Sequence, residues 1–95
     1  MDKETSKGDV RRIMSEADKM FEELGYEKHI RNLNHEPIEI DYIRPNKKYS
    51  TNIKFCLRSK LILPYIDTDE DLSGYIGVVE LKAINKKVEE LGWNE

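Results

Sequence analysis

The chain has a single cysteine, Cys56, so it can form neither an internal disulfide nor a multi-cysteine metal site. A reducing cytoplasm suits that composition. Apolar runs are short. The longest, Leu61 to Ile66, is interrupted by Pro64 and is far too brief to span a bilayer, and residues 1 to 9 are polar without the apolar core of a signal sequence. These absences lead to the expectation of a soluble cytoplasmic protein with no membrane partner. Glycine is sparse, and Gly74-Tyr75-Ile76-Gly77 has neither the Walker spacing nor a dinucleotide fingerprint. Histidine is scarcer still. His29 and His35 have no ligand-type spacing with each other or with Cys56, so no metal, no cofactor and no nucleophile-and-base pair is expected, and the chain reads as a non-enzyme. Asp67-Thr68-Asp69-Glu70-Asp71 sets carboxylates at the first, third and fifth positions of a calcium loop. Leu72 stands where that loop needs glycine and Val78 where it needs a bidentate glutamate, so the segment reads as a solvated acidic loop.

What is present is one small domain: 95 residues, 38% apolar and 37% charged, enough for a single core and too few for a cleft between two lobes. Residues 1–8 form a polar lead-in, and residues 9–95 read as a single α-β-β-β(-β)-α domain. Ser6 or Asp9 is the expected N-cap of a first helix, in which Val10, Ile13, Met14, Ala17, Met20, Phe21 and Leu24 make one apolar stripe. A second helix is expected from about Val78, capped by Gly77, with Ile76 stapled onto Leu81 and a stripe of Leu81, Ile84, Val88 and Leu91. Both helices end alike, in Phe21-Glu22-Glu23-Leu24-Gly25-Tyr26 and Val88-Glu89-Glu90-Leu91-Gly92-Trp93. Each predicts a Schellman cap, with glycine left-handed and the following aromatic folded back onto the apolar residue five positions earlier.

Between the helices the apolar period becomes two. Ile38, Ile40 and Tyr42 form one run, Ile53, Phe55 and Leu57 a second, and Leu61 and Leu63 a third, with Tyr75 and Ile76 as the candidate fourth strand. Turns at Pro45 to Lys48 and at Arg58-Ser59-Lys60 are short, which makes the pairing antiparallel. His29 to Glu36 reads as a connector. The expected fold is therefore α+β: a small antiparallel sheet of three to four strands with both helices packed on one face.

Charge is unevenly distributed. Residues 36–66 carry six Lys/Arg against three Asp/Glu, and residues 67–95 carry three against eight. Tyr42, Arg44, Lys47, Lys48, Tyr49, Lys54 and Arg58 fall close together on the basic segment and form the candidate partner-binding surface, since Tyr and Arg are enriched at binding hot spots. A protein partner is the leading expectation and nucleic acid the alternative, with Glu39 and Asp41 able to neutralise Lys54 and Arg58 across the sheet.

The segments Lys19-Met20-Phe21-Glu22-Glu23-Leu24-Gly25-Tyr26-Glu27-Lys28 and Glu80-Leu81-Lys82-Ala83-Ile84-Asn85-Lys86-Lys87-Val88-Glu89-Glu90-Leu91-Gly92-Trp93 resemble a group of small uncharacterised proteins common in phages and prophages of low-GC Gram-positive bacteria. That resemblance covers the two ends of the chain and implies a helix-strands-helix accessory protein of a mobile element. Joined with the lack of catalytic groups, it leads to the expectation of a binding module for a host or phage protein, in regulation or against host defence, and the chain is expected to be a monomer or weak homodimer. It carries over no catalytic or binding residue.

Overall fold

A computed structural model describes residues 15–67 and 74–93. The polar lead-in, the expected caps Ser6 and Asp9, the apolar residues Val10 to Met14, and residues 68–73 of the acidic loop lie outside them. Helix α1 spans Glu16–Glu23 and is capped by Ser15. The Ser15 hydroxyl accepts the Asp18 N–H at 3.1 Å, and the Ser15 N–H donates to Asp18 Oδ2 at 3.3 Å, a reciprocal capping box. Ser15 has ψ 174°, an extended conformation through which a helix cannot pass. The helix therefore starts later than the stripe from Val10 suggested.

Both helix ends follow the expected cap. Tyr26 N–H donates to the Phe21 carbonyl (3.0 Å) and Gly25 N–H to that of Glu22 (2.9 Å), while Trp93 and Gly92 bond Val88 and Glu89 in the same way. Gly25 has φ 94° and Gly92 φ 74°, conformations that a side chain resists. Tyr26 returns edge-on to Phe21, with ring centroids 5.7 Å apart.

Four antiparallel strands run as a meander in the order β1 (Glu27–Leu33), β2 (Glu36–Pro45), β3 (Ser50–Cys56), β4 (Leu61–Asp67), followed by helix α2 (Val78–Glu90). The expected connector at His29 to Glu36 is in fact β1 and its turn, and Tyr75-Ile76 is not a strand. Asn34 (φ 54°) and His35 (φ 68°) supply the two left-handed residues of a two-residue hairpin turn, without glycine. Beyond Arg31 the register shifts from Arg31↔Glu39 to Asn32↔Pro37, so Ile38 is the extra residue of a bulge.

The inner face carries Ile40 opposite Phe55 and Tyr42 opposite Ile53. Both helices close on it: Phe21, Ala83 and Ile84 share one buried cluster with these residues. Phe21 stacks on Tyr42 at 3.9 Å between centroids, and Phe55 stands edge-on to both rings.

Two expected faces are corrected. Leu61 and Leu63 do not enter the core; they lie on the outer face, 53% and 45% exposed. A three-residue turn would have set Leu61 opposite Leu57, whereas the loop holds four residues and pairs Leu61 with Cys56, which turns Ile62 inward instead. On α2 the buried positions are Glu80, Ala83, Ile84 and Lys87, and Leu81 is left exposed. Glu80 turns inward because Tyr26 and Arg44 bind its carboxylate. Pro64 does not end β4, which is an edge strand where a missing N–H is tolerated.

Candidate functional site

The seven residues of the expected binding surface are dispersed. Tyr42 is fully buried at the centre of the core, and its hydroxyl donates to Asp18 Oδ1 at 2.6 Å. It shares the inner face with Ile40, as alternation requires, and is unavailable to a partner. Arg44 points the same way, lying over the Tyr26 ring (5.0 Å) and pairing with Glu80 (3.5 Å). Lys54 and Arg58 belong to the other side of the sheet. Lys54 pairs with Glu39 (3.8 Å) and sits over the Tyr65 ring, and Arg58 reaches Glu36 (3.9 Å). Only Lys47, Lys48 and Tyr49, in the β2–β3 turn, stay together, exposed and without an ion pair among the described residues.

Beneath the sheet, Asp18 gathers the polar contacts of the core. Its carboxylate accepts from Lys28 (2.8 Å), Tyr42 and Lys87 (3.3 Å), and is itself 5% exposed. Burial alone would raise its pKa, but the hydrogen bonds from Lys28 and Tyr42 and the charges of Lys87 and Lys28 outweigh it and hold the group at about 2. Lys87 also approaches Glu90 (3.7 Å), whose carboxylate caps the Ala17 N–H at 2.9 Å. Every charge here has a partner inside the fold, so the cluster ties α1, α2 and β2 together and offers nothing to a substrate.

The outer face holds a second polar group. Tyr65 donates to Asp41 Oδ2 (2.7 Å), while Asp41 Oδ1 and Asn52 Oδ1 are buried and accept none among the described residues. Burial raises the Asp41 pKa, against the hydrogen bond from Tyr65 and the charge of Lys54. A shallow groove of about 250 Å³ beside the Ile38 bulge is lined by Ile38, Glu39, Cys56, Arg58 and Ser59. Alternation along β3 places Cys56 on this face, opposite Glu39. His29 is exposed beside Glu27 (3.6 Å), and no cluster of three His, Cys, Asp or Glu able to hold a metal occurs among the described residues. No described helix is long and apolar enough to cross a membrane.

A run of exposed apolar side chains lies where α2 begins. Tyr75 (63%), Ile76, Val78 (73%), Val79 and Leu81 are all exposed. The sequence pattern assigns Tyr75 and Ile76 to a strand and Leu81 to the core stripe with Ile76 stapled onto it, whereas the helix turns Glu80, Ala83, Ile84 and Lys87 inward and leaves these apolar side chains outside. No family model matches the chain, and no curated protein or solved structure shows significant similarity to it.

Proposed function

We propose that the protein is a non-enzymatic binding module that acts in the cytoplasm by covering an apolar surface of a host or phage protein. The observation that carries this reading is the exposure of Tyr75, Ile76, Val78, Val79 and Leu81 within one short segment, since clustered exposed apolar side chains mark interaction sites. Its setting in a mobile element rests on the likeness of the two helix endings to phage and prophage proteins. The dispersal of the basic residues weakens the nucleic-acid alternative, because Arg44, Lys54 and Arg58 already pair within the fold. Lys47, Lys48 and Tyr49 keep that second reading open.

One comparison separates the two. With a partner protein isolated, Val78→Asp combined with Val79→Asp should weaken its binding at least about tenfold while Lys47→Ala with Lys48→Ala leaves it unchanged. The reading fails if the valine variants bind normally, and nucleic acid replaces it if DNA or RNA binds with steep salt dependence that the lysine variants reduce.

A further inference from the structure

The two edges of the sheet are unlike. β4 carries Pro64 at its centre, and Gly74 lies so close to the Pro64 carbonyl and to Tyr65 Cα (2.8 Å from a Cβ built on the glycine) that the returning chain packs onto that strand. Both are devices that protect an edge from pairing. β1 has neither: six of its seven residues are exposed, Ile30 and Leu33 among them at 48% and 47%. No other described strand pairs with its free side.

We infer that β1 is a self-association edge, which pairs antiparallel with β1 of a second copy about a two-fold axis through His29. The charge pattern selects that partner and that register. Glu27, His29 and Arg31 share the outer face, opposite Ile43, Asp41 and Glu39 of β2. In a two-fold antiparallel pair centred on His29, Glu27 of each copy stands across from Arg31 of the other, giving two cross-strand ion pairs. Centring on Lys28 would oppose two lysines, and centring on Ile30 would set His29 against Arg31 and leave Glu27 facing Leu33. Only the His29 register sets Glu27 across from Arg31, with Lys28 then facing Ile30 of the other copy on the inner side. The same charges that discourage other strands from docking here thus specify a second copy of this one.

Sedimentation velocity over a range of concentrations tests the association, and cysteine cross-linking tests the register. The chain should dimerise reversibly. Glu27→Arg should weaken the dimer about tenfold, and adding Arg31→Glu should restore it. In a Cys56→Ser background, His29→Cys should cross-link under mild oxidation, while Lys28→Cys and Ile30→Cys should not. A monomer at every concentration overturns the inference, as does a dimer indifferent to Glu27→Arg or one that cross-links through Ile30→Cys instead.

Discussion

Two carboxylates, the buried Asp18 and the half-buried Asp41, respond to acid in opposite directions. Asp18 is held at about 2, below the unfolded value of 3.8, so its stabilising contribution is complete above pH about 4 and is lost as pH falls towards 2. That window is worth about 2 kcal/mol. Urea unfolding followed from pH 7 to pH 2 should show the loss, and Asp18→Asn, less stable at neutral pH, should be nearly flat across the same interval. Asp41 carries the reverse sign. Its pKa is raised, so the folded protein takes up its proton more readily than the unfolded chain, and the penalty for its charge at pH 7 shrinks as pH falls through the raised value. Asp41→Asn should therefore raise stability at pH 7, by about 1 kcal/mol: the amide oxygen can still accept from Tyr65, and its nitrogen brings a donor to a group in which two oxygens have none. A lower melting temperature for this variant would mean that the ionised carboxylate is needed where it lies. Alternation along β2 puts Tyr42 on the face of Ile40, and its burial there overturns its expected place on the binding surface. Its hydroxyl partner was not legible, because Asp18 is joined to it only by the packing of α1 on the sheet.

At the scale of elements, what could be read was whatever local chemistry dictates. The helix ends are such a case, since a left-handed glycine followed by an aromatic needs no distant contact to close. Gly25→Ala and Gly92→Ala should each lower stability by about 1 kcal/mol. Gly25→Ala should be the worse of the two, because its φ of 94° lies further from the left-handed helical value than the 74° of Gly92. Equal melting temperatures for wild type and both variants would remove the capping argument. β1 was illegible for a physical reason: Glu-Lys-His-Ile-Arg-Asn-Leu sits at an edge, exposed on both faces, so burial imposes no alternation on it. Its turn hides as well, because Asn34 and His35 adopt positive φ where glycine would announce the hairpin. His35→Gly should relieve that conformation and raise the unfolding free energy by about 0.5 to 1 kcal/mol, and a decrease would show that the imidazole makes a compensating contact. The misplaced face of β4 has a similar origin, since one residue of loop length decides which leucines see water. The candidate surface suffered most, because a cluster in sequence was split between the two sides of a sheet and a core.

Across the whole molecule, every strand pairs with its neighbour in sequence, while Asp18–Lys87 and Ala17–Glu90 join groups 69 and 73 residues apart. That division has a kinetic consequence. Hairpins close short loops at little entropic cost and can assemble in succession, whereas docking α2 onto α1 closes nearly the full described length of the chain. The helix pair should therefore form on the native side of the folding barrier. Lys87→Met and Glu90→Gln should accelerate unfolding while leaving the refolding rate within about twofold, and Ile53→Val in the β2–β3 pair should instead slow refolding. Stopped-flow folding and unfolding limbs for the three variants decide it, and slowed refolding in the helix variants would reverse the order. If the sheet does come first, the lifetime of the native state is governed by one lysine and one glutamate on a helix that the barrier has not yet felt.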